Sequence, residues 1–386
     1  MMIRNFLIAA LAAGAITACQ SPKNDNGIAL LEAADFQSQV DGKNVELYTL
    51  QNANGMCVQL TSFGARVVAL WVPAADGKFR DVVWGFENLD GYLTTTDHYC
   101  GPIVGRYGNR IGKGQFTLDS IPYQLSINNG ENHLHGGAKG FECRVWDARQ
   151  TTSAAGDPAI EMSYRAADGE EGYPGNLDLT VCYSLTPDNC LQIDYAATTD
   201  APTILNPTSH IYYNLHGTTA QSTDSHLLTI YASRFTPTDA GLIPTGEIWP
   251  VEATPLDFRT AHTIGARIDS LSYEPLAFGN GYDHNWVLDK GQAGACELAA
   301  EVFEPATGIR MKIYTDQPGF QFYAGQGMDG REVGKRGDRH NFRSGIALET
   351  QNFPDAPNHA NFPSAVLRPG ERYTQHTVYA FEVENR

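Results

Sequence analysis

The chain is built from short stretches in which apolar and polar residues alternate, and each stretch is soon broken by Gly, Asn, Asp or Pro. Residues 191–197 (LQIDYAA) and 309–314 (IRMKIY) alternate clearly, which indicates strands with one buried face. A stretch at 45–50, a turn at 52–55 and a stretch at 57–61 predict a β-hairpin. Further strands are predicted at 66–72, 115–118, 160–165, 177–185, 227–231, 298–304, 320–324, 345–350 and 373–382.

Helical periodicity rarely lasts two turns, and only short, weak helices are predicted, around 85–95 and 260–271. Strands and turn signals recur at short spacing up to the last predicted strand, and neither a shift in composition nor a Ser/Pro/Gly linker interrupts them. The pattern therefore predicts an all-β protein, with residues 29–386 forming one large antiparallel β-sandwich domain.

The first residues are predicted to lie outside that domain. Arg4 is followed by an apolar run at 6–16, which is too short to span a bilayer as a stable helix. The run ends in Ile-Thr-Ala-Cys at 16–19, which resembles the lipobox of bacterial lipoproteins. The resemblance implies a signal peptide at 1–18, a lipid anchor on Cys19 and an extracytoplasmic, membrane-anchored protein facing the periplasm or the cell surface.

Residues 19–28 are polar and are predicted to form a tether between anchor and domain. Ordinary secretion, with an incidental cysteine at the cleavage site, is the alternative.

Composition narrows the choice of partner. The 386-residue chain is 42% hydrophobic and 18% charged, which suffices for a large core, and its net charge of −17 argues against nucleic acid as a partner. Six cysteines follow Cys19, and they could form three disulfides or remain buried free thiols. They are Cys57, Cys100, Cys143, Cys182, Cys190 and Cys296. Because no CxxC pair is present, a zinc cluster is not predicted.

Five segments far apart in the chain carry the residue types of acid–base chemistry. They are GRYGNRI (105–111), NNGENHLHGG (128–137), NPTSHIYYNL (206–215), GYDHNWVL (281–288) and GIALETQNFPDAPN (345–358). Glu349 ends an apolar strand, so partial desolvation should favour its neutral form and make it a better base when ionised. By strand alternation, His210 and Tyr212 face one side of their segment.

The other segments add groups that bind polar ligands. His133 and His135 are two residues apart, but two ligands without a third are a weak metal signal, and the neighbouring glycines favour close approach of backbone to a ligand. Arg106 and Arg110 offer forked donors, and Asp283 offers an acceptor beside aromatic residues. Aromatic faces with Asp, Asn, Arg and His are typical of sugar sites.

Taken together, these segments resemble the galactose mutarotase (aldose 1-epimerase) family over essentially the whole mature chain. The resemblance rests on GRYGNRIGKGQF (105–116), NHLHGG (132–137), EEGYPGN (170–176), TPTDAGLIPTGEI (236–248), GYDHNWVL (281–288), PGFQFYAGQ (318–326) and LETQNFPDAPN (348–358). It implies the large sandwich of that family, no cofactor or metal, and an aldose as the small-molecule substrate.

The resemblance also implies site residues. Glu349 would be the catalytic base and His210 the acid. The sugar would be bound by Arg110, His135 and Asp283, in a pocket that is also lined by Asn109 and Gln321. Ser209 departs from the family, in which Asn commonly precedes the histidine, and this puts the orientation of His210 in question.

The residue types also fit the reaction independently. Exchange of anomers removes a proton from the C1 hydroxyl group and protonates the ring oxygen, so a base and an acid in one pocket suffice. We expect loss of activity at acid pH to report the carboxylate and loss at alkaline pH the imidazolium.

Three other functions are the alternatives to an epimerase. They are a non-catalytic carbohydrate-binding sandwich, a glycoside hydrolase using Asp283 with Glu349, and a sugar-phosphate epimerase, which would need a basic cluster for phosphate. The sequence leaves the preferred aldose and the oligomeric state open.

Overall fold

A computed structural model describes residues 27–384. The predicted signal peptide, Cys19 and the tether up to residue 26 lie outside the described residues. Between residues 27 and 384, no helix is both long enough and apolar enough to cross a membrane.

Strands dominate the described part of the chain. In chain order they are β1 (Ser38–Val40), β2 (Lys43–Val45), β3 (Leu47–Gln51), β4 (Cys57–Thr61), β5 (Arg66–Pro73), β6 (Phe79–Asp81), β7 (Ile103–Val104), β8 (Arg110–Ile111), β9 (Gln115–Leu118), β10 (Ile121–Gln124), β11 (His133–Leu134), β12 (Asp147–Thr152), β13 (Pro158–Ala166), β14 (Leu177–Leu185), β15 (Cys190–Thr199), β16 (Thr203–Ile204), β17 (Thr208–Ser209), β18 (Tyr212–Tyr213), β19 (Leu227–Ile230), β20 (Arg234–Thr236), β21 (Trp249–Pro250), β22 (His262–Thr263), β23 (Asp283–Val287), β24 (Glu297–Glu304), β25 (Ile309–Thr315), β26 (Gly319–Tyr323), β27 (Ile346–Gln351), β28 (Val366–Leu367) and β29 (Tyr373–Val383).

Helices are few and short. The α-helices of the described residues are α1 (Leu89–Thr94) and α2 (Glu274–Gly279). Single 3₁₀ turns lie at Ala33–Phe36, Gly112–Gly114, Phe141–Cys143, Glu170–Gly172, Thr223–Ser225, Ile264–Ala266, Lys335–Gly337 and Ala356–Asn358.

Three antiparallel sheets form the body of the molecule. The largest has nine strands in the order β12-β13-β14-β15-β29-β25-β24-β19-β22. The second has six strands, β18-β27-β26-β23-β20-β21, and the third is the meander β3-β4-β5-β6. The last strand, β29, lies between β15 and β25 in the middle of the nine-stranded sheet. The C-terminal strand therefore joins strands from the middle of the chain to later strands in one sheet.

The sheets enclose one large apolar core. In β25 the side chains alternate strictly between buried and half-buried, as expected for a sheet with one face on the core. All six residues of β27 are buried, because the six-stranded sheet is covered on both faces. Ile346 and Leu348 of this strand join the core, and Thr350 reaches β29 through a 2.7 Å hydrogen bond to Thr377.

The structure confirms the predicted all-β antiparallel fold. The hairpin forms from β3 and β4, and β9 and β14 have the predicted bounds. The prediction that residues 29–386 form a single domain stays a prediction.

The weak helix at 85–95 is present as α1, but the helix predicted at 260–271 is wrong. There the chain pairs as β22 with β19 and then makes one 3₁₀ turn around Gly265, because glycine disfavours a continuing helix. The missed helix α2 has six residues, with Pro275 near its start and Asn280 in the left-handed conformation at its end, and is too short to show helical periodicity.

The cysteines settle one question that the sequence left open. All six cysteines of the described residues are free thiols, and Cys57 and Cys100 are fully buried. The core is large enough to stabilise the domain without disulfides, so the buried thiols act as small apolar side chains.

Candidate active site

The register of the six-stranded sheet places the predicted base. Alternation in β27 directs Glu349 to the face opposite the apolar core, where it lies across from Gln321 of β26. Gln321 in turn lies across from Asn285 of β23. A second pair of facing residues, Asp283 of β23 and Tyr323 of β26, lies beside them. The polar floor of the site therefore follows from strand alternation and register alone.

Glu349 and His210 form a close, buried pair. Oε1 of Glu349 lies 3.7 Å from Nε2 of His210, and the two side chains are 2% and 4% exposed. Burial raises the pKa of Glu349 well above its ordinary value, and the negative charge of Asp283 adds to the effect. Burial lowers the pKa of His210 to about 4. Both shifts favour a carboxylic acid beside a neutral imidazole.

His210 lies in the short connection between β17 and β18. Its backbone N–H donates to the carbonyl of Pro102, and its carbonyl accepts from the N–H of Gly101, each at 2.9 Å. These bonds continue the pairing of β17 with β7. As the alternation predicted, Tyr212 also faces the pocket.

His135 faces the pair from a loop. Its backbone is in the left-handed region, with φ 51°, and its Nδ1 accepts a 3.0 Å hydrogen bond from the N–H of Asn109. The proton of the neutral ring must therefore be on Nε2, which makes Nε2 a hydrogen-bond donor. Burial holds the pKa of His135 well below its ordinary value, and the neighbouring His210 and Arg110 lower it further.

These three side chains do not fit a metal ion. Possible ligand atoms of His135, His210 and Glu349 lie within 4.8 Å of one another. However, Nδ1 of His135 is already hydrogen-bonded and Nε2 carries the proton, so the ring has no free lone pair for a metal. Two remaining ligands are too few for a stable site.

Arg110 and Asp283 form an ion pair beside the carboxyl–imidazole pair. Nη1 of Arg110 lies 3.4 Å from Oδ2 of Asp283, and Nε of Arg110 donates to Asn129 at 3.2 Å. Gln321 donates to Oδ1 of Asp283 at 2.6 Å. Gln321 therefore sits behind Asp283 and orients it, instead of lining the pocket wall. The remaining hydrogen-bonding capacity of these polar groups is directed to a ligand.

Asn109 links two of these groups. Its side-chain oxygen accepts from the N–H of Arg110 at 2.8 Å, while its backbone N–H and carbonyl both bond to His135. With φ 63°, it is in the left-handed region that Asn tolerates better than most residues.

Two residues singled out from the sequence have structural roles instead. Nδ1–H of His133 donates to the carbonyl of Ser126 at 2.7 Å, and its Nε2 accepts from the hydroxyl of Tyr173 at 2.5 Å. Arg106 is 2% exposed and donates to the carbonyls of Pro174 and Gly175. Neither side chain lines the pocket.

The pocket has a volume of about 480 Å³ and contains more than the five segments predicted. Its wall also includes Asp97, Tyr99, Tyr323 and the loop at 327–332, which sequence reasoning missed. Tyr323 alternates with core residues of β26 and could have been inferred from register. Tyr99 belongs to no catalytic motif, and only the folded loop brings it to the site.

A second group of titratable side chains lies outside this pocket. Glu304 accepts from Ser225 at 3.0 Å and lies 3.0 Å from Nδ1 of His226 and 3.4 Å from Nε2 of His216. Nε2 of His226 accepts from the N–H of Leu215 at 2.9 Å, so Nδ1 carries the proton. His226 thus offers no lone pair to a metal, and the group is a buried structural network.

One asparagine joins the segments that carry the site. The side chain of Asn206, which is fully buried, accepts from the N–H of Asn352 at 2.7 Å and donates to the carbonyl of Gly108 at 3.1 Å. Its carbonyl also accepts from the N–H of Gly108 at 2.6 Å. Asn206 therefore ties together the segments of Arg110, His210 and Glu349.

A dry proton-transfer pair beside polar groups that can hold several hydroxyls is suited to moving protons on a sugar. The geometry thus places the chain in the class of acid–base enzymes that act on carbohydrates.

Comparison with known proteins narrows that class to one family. The sequence profile described as aldose 1-epimerase matches residues 46–380. The chain is 41% identical to galactose mutarotase of Bos taurus over 339 residues, covering 88% of this chain and 94% of the relative. It is 36% identical to aldose 1-epimerase of Escherichia coli strain K12 over 347 residues, covering 89% and 97%.

Solved structures agree. The chain superimposes on an aldose epimerase homologue from C. elegans with a TM-score of 0.79 and 30% identity, covering 88% of this chain and 100% of the other. It matches galactose 1-epimerase from Lactobacillus acidophilus with a TM-score of 0.77 and 27% identity, covering 90% and 97%. The chain belongs to the aldose 1-epimerase family, and it is an isomerase with aldose 1-epimerase function.

Asn206→Ala tests whether this residue sets the geometry of the site. We expect kcat to fall about 10- to 100-fold, because small displacements of reacting groups are costly. The matched control is Asn52→Ala, which removes a buried asparagine that bridges Thr186 and Met56 away from the pocket. Both variants should lower Tm, but only Asn206→Ala should lower kcat in polarimetry. An equal loss of kcat in the two variants would show that Asn206 contributes stability alone.

Proposed function

We propose that the protein interconverts the α and β anomers of free aldohexoses, such as galactose and glucose, with Glu349 as base and His210 as acid. The observation that carries this assignment is the 3.7 Å separation of the two groups, whose side chains are both almost fully buried in the wall of the pocket. Family membership supports the anomer exchange, and the names of the relatives, galactose mutarotase and galactose 1-epimerase, support galactose as a substrate.

In the proposed ring opening, Glu349 takes the proton of the C1 hydroxyl while His210 gives a proton to the ring oxygen. The C1–O5 bond breaks, and its electron pair goes to the ring oxygen as the C1 carbonyl forms. Rotation about C1–C2 exposes the other face of the aldehyde. Ring closure then returns a proton from the ring hydroxyl to His210 and from Glu349 to the carbonyl oxygen, so the enzyme ends as it began.

Other polar groups of the pocket would hold the sugar during that rotation. Arg110 donates to sugar hydroxyls, Asp283 accepts from them, and Nε2–H of His135 donates to an oxygen that gains negative charge. Gln321 and Asn109 keep Asp283 and His135 in place through the hydrogen bonds described above.

Glu349→Gln tests the base. The amide keeps the shape of the side chain but cannot accept the proton, so we expect kcat to fall about 10²–10⁴-fold. Mutarotation of freshly dissolved α-galactose and α-glucose, followed by polarimetry, measures it. Glu304→Gln is the control, since Glu304 is an equally buried carboxyl group, 2% exposed, outside the pocket. Near wild-type activity of Glu349→Gln would remove Glu349 from the base role.

The pH profile tests the pair. The shifts reverse the sequence-based expectation, because the raised pKa belongs to the carboxyl group and the lowered pKa, about 4, to the imidazole. At a pH above the pKa of His210 and below that of Glu349, the two groups together hold one proton. We expect kcat/KM to fall at acid pH near 4, where His210 takes up a proton and the pair then holds two protons. It should fall again at alkaline pH, where Glu349 loses its proton and the pair then holds none. An acid limb near the ordinary histidine value of about 6.5 would contradict this assignment.

We also infer that the protein is exported and anchored through Cys19, on the resemblance of residues 16–19 to a lipobox. In a bacterial host, the full-length protein should fractionate with membranes, and mass spectrometry should show a lipid on its N-terminal peptide. Cys19→Ser should release it or leave it uncleaved, whereas Cys296→Ser, at an exposed free thiol, should fractionate as wild type. Membrane association that survives in Cys19→Ser would exclude this anchor.

A further inference from the structure

No strong hydrogen bond orients the ring of His210 among residues 27–384. A histidine that transfers a proton is usually oriented by a hydrogen bond on its second ring nitrogen. The backbone carbonyls of Tyr99 and of His210 itself act on the ring as weak acceptors, which partly offset the lowering of its pKa, but the buried Nδ1 makes no well-formed hydrogen bond among residues 27–384. The same is true of the neighbouring Ser209 hydroxyl, which stands at the position where the family commonly has Asn. Contacts other than strong hydrogen bonds must therefore contribute to holding the ring.

Aromatic rings surround the imidazole instead. The centroid of the Tyr212 ring lies 4.9 Å from that of His210, with the planes at 69°. His135 lies at 5.1 Å and 89°, and Tyr99 at 5.6 Å and 37°. Tyr99 also contacts His135, at 4.7 Å. The ring of Tyr99 therefore packs on both imidazoles of the site at once.

Two of the three rings around His210 are held in place by contacts of their own. Tyr212 belongs to β18 and packs on Trp84 at 4.9 Å. His135 is held by the N–H of Asn109. Tyr99 lies outside the strands of the described fold, so its position depends on whatever holds its loop.

A buried arginine holds that loop. Arg66, which is 1% exposed, donates from Nη1 to the carbonyls of His98 and Cys100, at 3.1 and 2.7 Å, on either side of Tyr99. Its Nη2 donates to the carbonyl of Glu142 at 3.0 Å, which ties the loop to the segment that follows His135. Two residues after Tyr99, Gly101 donates its N–H to the carbonyl of His210.

We propose that Tyr99 is a positioning residue that orients His210 through ring packing and keeps water from both imidazoles, with Arg66 fixing the loop that carries it. The proposal rests on the proposed acid role of His210. The ring, and not the hydroxyl group, is the active part, because the hydroxyl makes no hydrogen bond with any described residue, whereas the ring contacts both histidines.

The experiment compares variants that keep or remove the ring. Tyr99→Phe keeps it, and we expect its kcat to stay within about threefold of wild type. Tyr99→Leu removes it, and we expect kcat to fall about 10- to 100-fold, as for other misplaced proton-transfer groups. Tyr99→Met fills more of the space but has no rigid ring. It replaces Tyr99→Leu in the comparison if Tyr99→Leu folds poorly, and the same loss of kcat is expected. Tyr273→Leu removes a half-buried ring away from the pocket, and its kcat should be unchanged.

A second readout follows the imidazole without substrate. In ¹⁵N-histidine-labelled protein, the ring signals of His210 are those lost in His210→Asn. We expect one well-defined tautomer in wild type and Tyr99→Phe, and signals averaged between tautomers in Tyr99→Leu. Because no sugar is present, this measurement is independent of activity.

The outcomes separate this inference from the proposed function. If His210→Asn keeps wild-type activity, the acid role fails, whatever Tyr99 does. If His210→Asn is inactive while Tyr99→Leu keeps wild-type kcat and unchanged His210 signals, the positioning role is overturned. Equal losses in Tyr99→Phe and Tyr99→Leu would assign the effect to the hydroxyl and would also overturn it.

Discussion

Removal of water from one carboxyl group is the constraint on which the rest of the site depends. Glu349 lies on β27, the second strand of the six-stranded sheet, is 2% exposed, and has the imidazole of His210 3.7 Å away. An ionised carboxylate in such a place is costly, so burial favours the protonated form of the group and makes its carboxylate a stronger base. A partly solvated carboxylate would have an ordinary pKa and would be a weaker base at neutral pH. The large sandwich is thus the scaffold that keeps this one group dry.

The scaffold builds the two sides of the pocket in different ways. The side with Glu349 and Asp283 is a sheet face, where backbone hydrogen bonds and side-chain alternation fix positions. The opposite side is made of loops, which need other restraints. Asn206 and Arg66 supply them through side-chain hydrogen bonds to backbone groups of other segments, and the backbone of Asn109 supplies another through its two bonds to His135. Buried hydrogen bonds of this kind differ from apolar core packing. They favour one particular arrangement of the loops, whereas core packing contributes general stability.

These two sides also explain what could be predicted from the sequence. Strands with clear alternation, such as β14 and β25, were found nearly to the residue, because one face of each is buried. Glu349 and His210 were predicted as site residues because each lies in a distinctive motif, and the structure brings the two side chains together in one pocket. Tyr99 was not, since nothing local to it signals that its ring would meet His210, which is more than 100 residues away. The short helix α2 was missed for a similar reason, as six residues carry too little periodic pattern.

The protonation state favoured by burial has a consequence for the proposed reaction. Ring opening by a carboxylate and an imidazolium leaves a carboxylic acid and a neutral imidazole, the arrangement that the pKa shifts of Glu349 and His210 favour. The pocket thus stabilises the enzyme form that accompanies the open-chain aldehyde, which is the least stable form of the sugar. Since ring closure to either anomer starts from this same form, the electrostatics favour neither product. In the proposed reaction, the same carboxyl–imidazole pair therefore serves closure to either anomer.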